Sequence, residues 1–139
     1  MNTHRKFHTD GAQPSPGQIF VFGSNLSGIH AGGAARAAHL NYGAEWGVGE
    51  GRTGECYALP TVQAGLIGPL ALDAVQLTVG MFLHHAATHP EDTFLVTRVG
   101  CGIAGHADEE IAPLFRDAPL NCSLPDTWRE FVDPQPQTV

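Results

Sequence analysis

The chain has 139 residues, 42% of them hydrophobic, which is enough for one domain with a single packed core. Fourteen acidic and seven basic residues give a formal charge of −7, which argues against binding of long DNA or RNA, because such binding needs a basic surface. No apolar run approaches the ~20 residues of a membrane-spanning helix, and no apolar stretch follows the basic N-terminal residues as in a secretory signal. We therefore expect no membrane partner and a cytoplasmic location.

Apolar runs, glycines and prolines divide the chain into predicted elements. Polar residues and prolines predict flexible tails over residues 1–17 and 133–139, which leaves one domain over residues 18–132. Within it, in chain order, we predict a strand at 19–22, a helix at 31–40, a long loop at 43–54, a strand at 56–59 that stops at Pro60, a helix at 71–87, a strand at 94–99, a helix at 108–115, a strand at 121–125 and a helix at 127–132. This alternation predicts an α/β fold with a mostly parallel central sheet.

Two glycine-rich turns, each following an apolar strand, are the features most informative about function. Loop 1 covers residues 23–33 and loop 2 covers residues 100–106. Glycine lets the main chain approach a ligand closely, and N–H groups at a helix start supply donors for phosphate. The candidate ligand-binding residues are Gly23, Ser24, Asn25, Gly32, Gly33, Ala34, Gly100, Cys101, Gly102, Ile103, Ala104, Gly105 and His106. Because ligands of parallel sheets bind beyond the carboxyl ends of the strands, we expect a nucleotide diphosphate between the two loops.

The strands and both loops together resemble the macrodomain superfamily, and in particular small phage-type and bacterial macro-like proteins. The resemblance rests on residues 19–25, the helix entry at 32–35, residues 57–61 and residues 99–105. It implies a three-layer macrodomain-like fold that binds ADP-ribose, with Asn25 near the distal ribose and loop 2 around the diphosphate. Many macrodomains contact adenine with an aspartate just after the first strand. Here Asp10 falls in the predicted tail, which leaves the base of the ligand open.

Asn25 and His30 are the candidate catalytic residues, since Asn25 could orient a water molecule and His30 could activate it. Asn25 is equally compatible with a turn or helix cap, and His30 with an exposed loop histidine. Cys101 is a weaker candidate nucleophile because no base is identifiable beside it. His85 and His89 lie four residues apart but lack an H-E-x-x-H pattern, so neither a metal site nor a cofactor is predicted.

Three further residues have open roles. Arg98 directly precedes loop 2 and needs an anionic partner, either a carboxylate or the ligand. Arg52 and Trp46 lie in the long loop at 43–54, where the arginine could close over a phosphate and the tryptophan could stack on a base.

Three functions remain in competition at this point. The first is a module that binds ADP-ribose or a related nucleotide, for example to sequester a signal in a phage–host conflict. The second is a hydrolase of ADP-ribosyl linkages or of ADP-ribose phosphate on the same fold. The third is an interaction domain whose glycine loops are only tight turns.

Overall fold

Six strands form one mixed sheet in the computed structural model, which describes residues 5–133. The strands are β1 (Phe7–His8), β2 (Ile19–Asn25), β3 (Gly51–Thr53), β4 (Cys56–Val62), β5 (Phe94–Val96) and β6 (Cys122–Pro125). Their order across the sheet is β1-β6-β5-β2-β4-β3. Every neighbouring pair is parallel except β3 with β4, which is antiparallel. The predicted α/β fold with a mostly parallel central sheet is confirmed.

Helices cover both faces of this sheet. They are α1 (Gly33–Asn41), α2 (Leu72–Thr88), α3 (Asp108–Ile111) and α4 (Arg129–Val132), with 3-10 turns at Ala64–Leu66, Ala112–Phe115 and Asp126–Trp128. On one face, Ala35 and Ala38 of α1 pack with Phe20 and Phe22 of β2. On the other face, α2 and the C-terminal helices pack against the remaining sheet residues around Trp128. The protein therefore has the predicted three layers.

The sequence pattern accounts for the central elements. Residues 19–22 of β2 are buried on both sides, as expected for a central parallel strand flanked by helices. In α2, Val75, Val79, Phe82 and Ala86 recur at helical spacing, and all four are buried against the sheet. In the part of the chain that the structure describes, no helix is both long and apolar enough to cross a membrane.

The strand predicted at 19–22 continues to Asn25, and the strand predicted at 94–99 ends at Val96. Besides these shifted ends, three predictions about the elements are wrong. Residues 1–17 are not all tail, because Phe7 and His8 pair with Leu124 and Pro125 of β6. The loop at 43–54 ends in β3, whose three residues pair with β4. Residues 1–4 and 134–139 lie outside the described residues.

The third error concerns Pro60, which does not end β4. The strand continues to Val62, and Pro60 lies opposite Ser24 of β2. The pairing of β3 with β4 ends at Ala58. At Pro60 the strand therefore has no partner on its β3 side, where the missing proline N–H costs no ladder hydrogen bond.

Candidate functional site

A cleft of about 450 Å³ lies between loop 1 and loop 2, beyond the carboxyl ends of the neighbouring strands β2 and β5. Its lining includes the predicted residues Gly23, Asn25, Gly32, Gly33, Ala34, Gly100, Cys101, Gly102, Ile103 and Ala104. The loops come close at its floor, since a Cβ atom added to Gly23 would lie 3.7 Å from the backbone nitrogen of Gly100. The structure thus brings together two segments that are about 70 residues apart in the sequence.

Asn25 closes loop 1 with its own side chain. Its Nδ2 donates to the carbonyl oxygen of Ile29 at 2.8 Å, and its Oδ1 accepts from the Ile29 backbone N–H at 3.0 Å. An asparagine amide has two N–H donors and two acceptor lone pairs, so one of each remains for a ligand in the cleft. Asn25 therefore shapes the loop and also lines the cleft.

The start of α1 presents free backbone donors to the cleft. Gly32 precedes the helix in an extended conformation and makes no side-chain capping hydrogen bond. Gly33, Ala34 and Ala35 form the first turn, and their N–H groups have no acceptor within residues 5–133. A helix start of this kind stabilises an anion through its N–H groups and its dipole.

Loop 2 presents a second set of donors. The loop is closed by two backbone hydrogen bonds, from Gly105 N to Gly102 O and from His106 N to Gly100 O, each 2.9 Å long. Within this closed loop, the N–H groups of residues 102–104 also have no acceptor in the described part of the chain. Gly100 has φ +76°, and a Cβ atom there would lie 3.1 Å from the side chain of Ile111, so glycine is required at this turn.

Arg98 links two carboxylates at one end of the cleft. Its Nε and Nη2 donate to the two oxygens of Asp108 at 2.9 and 2.8 Å, and its Nη1 lies 3.4 Å from Oδ2 of Asp10. Asp108 also accepts a 2.7 Å hydrogen bond from Nε1 of the buried Trp128. The Arg98 guanidinium lowers the pKa of Asp108, and the same pairing raises the pKa of Arg98. The arginine is therefore bound to carboxylates and also lines the cleft.

Asp10 is the main correction to the predicted site. It lies two residues after β1 and lines the cleft, although the sequence places it in a tail. Arg98, whose role the sequence left open, also lines the cleft, and the other lining residues that the sequence missed are Ile29, Ala35, Thr61, Thr97 and Val99. The alternation of apolar residues that reveals a strand is absent from a two-residue β1, so the sequence held no clear signal for Asp10.

Three predicted ligand-binding residues lie outside the cleft lining. The hydroxyl of Ser24 donates to the carbonyl oxygen of Gly49 at 2.5 Å, which holds this side chain away from the cleft. Gly105 turns the chain with φ +77°. Nε2 of His106 donates to the carbonyl oxygen of Leu70 at 2.9 Å, so the ring pins loop 2 to the segment before α2.

The predicted catalytic role of His30 is also corrected. Its side chain is 1% exposed and does not line the cleft. The ring packs edge-on against Phe22 and Trp46, with centroids 5.4 and 6.0 Å away, and Nε2 donates to the carbonyl oxygen of Glu45. Loop 1 places this side chain among Phe22, His39 and Trp46, on the α1 side of the sheet and away from the cleft lining.

Cys101 lines the cleft as a poor nucleophile. Burial and the neighbouring Asp108 carboxylate raise the pKa of its thiol to about 12. The thiolate, which is the reactive form, is therefore scarce at neutral pH. A reactive cysteine requires a positive group that lowers the pKa of its thiol, whereas the negative Asp108 raises it.

The long loop at 43–54 does not close over the cleft. Arg52 lies on β3 and forms an ion pair with Asp92 at 3.4 Å, and Trp46 packs on His30 and His39. Neither Arg52 nor Trp46 lines the cleft. A wider groove of about 1070 Å³ runs along α2 past Leu77 and Met81, but no residue of loop 1 or loop 2 lines it. The smaller cleft is therefore the one that contains the free N–H groups of both loops.

Comparison with known proteins supports only the fold of this chain. No family model matches the chain, and no curated protein matches it. A solved structure described as a protein of unknown function from Bacteroides thetaiotaomicron has a TM-score of 0.59 and 14% sequence identity. The match covers 89% of this chain and 99% of that chain. At this identity the likeness establishes a shared fold.

Proposed function

We propose that the cleft binds ADP-ribose or a related nucleotide diphosphate, with the diphosphate between loop 1 and loop 2. The observation that carries this proposal is the pair of free donor runs, residues 33–35 and 102–104, on opposite sides of one cleft. Ala35 and Ala104 are buried and the other four residues are exposed, and a phosphate in the cleft would accept hydrogen bonds from several of these N–H groups together. The cleft volume also lies within the usual range for small-molecule sites.

The charges of the site agree with binding through the main chain. The protein has a net charge of −7, and the arginine that lines the cleft is already paired with Asp108 and Asp10. An anionic ligand would therefore depend on backbone donors and the α1 dipole rather than on a free lysine or arginine.

The resemblance to macrodomains supports the same ligand and its orientation. It places the distal ribose at Asn25 and the base at an aspartate that follows the first strand. With β1 at Phe7–His8, Asp10 takes that position. From β1 to β2 the sheet spans three strand spacings, or about 14 Å, so the cleft offers room for an extended ligand.

Binding is better supported than hydrolysis. Among the described residues that line the cleft, the carboxylate of Asp10 is paired with Arg98, and the thiol of Cys101 has a raised pKa. His30 lies outside the cleft. A general base needs hydrogen-bond reach of the reacting group, and no lining side chain offers an unpaired base.

Calorimetric titration of the purified protein with ADP-ribose, ADP and AMP tests the proposal. We expect one ADP-ribose per chain and weaker binding of AMP, which lacks the second phosphate. Chromatography of the same mixtures after long incubation separates a binding module from a hydrolase. Absence of binding of all three nucleotides at millimolar concentration would overturn the proposal, and appearance of a cleavage product would establish the hydrolase in its place.

A further inference from the structure

A serine and a histidine form a hydrogen-bonded pair on the sheet, outside the cleft. Oγ of Ser123 on β6 lies 2.7 Å from Nδ1 of His8 on β1. Neither residue lines the cleft between loop 1 and loop 2. The two residues are 115 positions apart in the chain, so the pair forms only because β1 joins the sheet beside β6.

The pairing of β1 with β6 places both side chains on one face of the sheet. Phe7 lies opposite Leu124, and His8 lies opposite Pro125, which is two residues after Ser123. Side chains two residues apart in a strand point to the same face, and neighbours point to opposite faces. Phe7 and Leu124 pack into the core on the α2 side. His8 and Ser123 therefore face the α1 side, and regular strand geometry holds them together.

The surroundings of His8 make its ring a proton acceptor. Burial lowers the pKa of His8, so the ring is neutral at neutral pH. With the Ser123 hydroxyl donating to Nδ1, the single proton of the neutral ring lies on Nε2. A hydrogen bond to the Val96 backbone and the carboxylates of Asp126 and Asp10 act in the opposite direction and favour the charged ring. These groups stabilise the imidazolium once the ring takes up a second proton.

A pocket of about 260 Å³ adjoins Ser123. Its lining also includes Lys6 before β1 and Ser15 and Gln18 in the turn before β2. Oε1 of Gln18 accepts from the backbone N–H of Ser15 at 2.9 Å, which orients the Gln18 amide. Within residues 5–133, the Lys6 ammonium and the Gln18 amide nitrogen have no acceptor. The pocket therefore offers two sets of N–H donors that can stabilise negative charge on an oxygen bound there.

We propose that Ser123 and His8 are a nucleophile and its general base in a second site, which hydrolyses carboxylic esters with a short acyl chain. A serine hydroxyl becomes an effective nucleophile when an adjacent base removes its proton. The 2.7 Å between Oγ and Nδ1 is within the reach that such a base needs. The acyl chain is short because the pocket is smaller than the roughly 300–1,000 Å³ of sites for drug-sized ligands. This site does not depend on the proposed nucleotide binding.

The reaction has two halves. In the first, Oγ of Ser123 attacks the carbonyl carbon and its proton moves to Nδ1 of His8, while the carbonyl electron pair moves onto the oxygen that Lys6 and Gln18 stabilise. The bond from carbon to the leaving oxygen then breaks, and the imidazolium gives its proton to that oxygen, which releases the alcohol. In the second half, water attacks the acyl-serine with His8 again as the base, and the carboxylic acid leaves.

Covalent labelling and ester hydrolysis test the site. The protein is incubated with phenylmethylsulfonyl fluoride, and peptide mass spectrometry identifies the modified residue. We expect sulfonylation of Ser123, and faster release of p-nitrophenol from p-nitrophenyl acetate than from p-nitrophenyl octanoate. His8→Gln should lower the rates of labelling and hydrolysis by about a hundredfold or more, which is the usual contribution of a general base. Ser123→Ala should abolish both.

Ser15→Ala is the matched control, because Ser15 lines the same pocket but has no histidine partner within residues 5–133. It should react at the wild-type rate, and thermal melting establishes that each variant is folded. Labelling of the wild type needs no variant, so absence of modified Ser123 at millimolar reagent would overturn the proposal. Equal rates in the wild type and folded His8→Gln would also overturn it. Titration with ADP-ribose reports on the cleft separately, so failure of either proposal is distinguishable from failure of the other.

Discussion

Gly102→Glu separates the function of loop 2 from its structure. Gly102 lines the cleft, a Cβ atom there would meet no atom within 4 Å, and its φ lies outside the left-handed region. The fold should therefore tolerate the change within about 0.5 kcal/mol, as an exposed surface site does. The new carboxylate would instead stand at the position proposed for the diphosphate.

The size of the effect follows from Coulomb's law. Two unit charges roughly 6 Å apart at an effective dielectric constant of about 20 repel each other by about 3 kcal/mol. Dissolved salt and side-chain movement reduce this figure, so we expect ADP-ribose to bind roughly ten- to a hundredfold more weakly. The loss should shrink as salt rises from about 0.05 to 0.5 M, because the Debye length shortens and the repulsion between the two charges is screened more strongly.

Calorimetry and thermal melting measure the two consequences separately. Gly102→Gln adds the bulk without the charge and should bind more tightly than Gly102→Glu. Gly80→Glu adds the same charge on α2, also with open space around its Cβ position, and should bind as the wild type does. If Gly102→Glu binds ADP-ribose within twofold of the wild type at low salt, loop 2 does not contact the diphosphate and the reasoning is refuted.

Three other predictions concern the framework around the cleft. Gly49→Ala should destabilise the fold by roughly 2–3 kcal/mol, because a Cβ atom at Gly49 collides with the carbonyl oxygen of Asn25. The melting temperature should drop by about 5–10 °C, whereas Gly32→Ala, with open space around its Cβ position, should leave it unchanged. An unchanged melting temperature in Gly49→Ala would contradict this prediction. Asp108→Asn should make the stability of the protein depend less on pH in the acid range. The pKa of Asp108 is lowered below its ordinary 3.8, so its ion pair stabilises the protein above that pH and is lost as pH falls through the lowered value. Melting from about pH 6 to pH 2 should show the advantage of the wild type disappearing below about pH 4, and a constant advantage would rule the ion pair out as its source. Native Cys101, with a pKa of about 12, should react with iodoacetamide at pH 7.5 at less than about a hundredth of the rate in denaturant, as followed by mass spectrometry; rapid native labelling would show that the thiol is not suppressed.

The strands and loops of the central sheet were predictable because their signals are local. Residues 19–22 and 94–96 are continuous apolar runs, and each leads into a cluster of glycines. Strands this apolar have to be buried on both faces, which requires helices above and below the sheet. Parallel pairing then places both glycine loops at one edge, so the cleft itself followed from the pattern.

The edges of the sheet were not predictable in the same way. Strands β1 and β3 contain two and three residues and are too short for alternation to show. Each exists because a longer neighbour, β6 or β4, offers it an unpaired edge. Propensity at the residues themselves is a weak guide in such cases, since pairing rather than local preference forms the strand.

Side-chain direction separated the residues of loop 1. Asn25 is the last residue of β2 and His30 lies five positions later in the glycine-rich turn, yet Asn25 lines the cleft and His30 is buried on the α1 side of the sheet. Residue type and spacing are compatible with either placement. The path of the loop against residues 44–49 decided which side chain met the cleft.

The sequence by itself determined an α/β protein with two glycine loops after apolar strands, because apolar periodicity and glycine are properties of neighbouring residues. Only the tertiary structure decided that Asp10 and Arg98, 88 residues apart, meet at the same cleft. It also decided that Arg98 is held by Asp108 and Trp128, and that His30 is excluded. Such contacts arise when strand pairing and core packing bring distant segments together, and no local pattern in the chain encodes them.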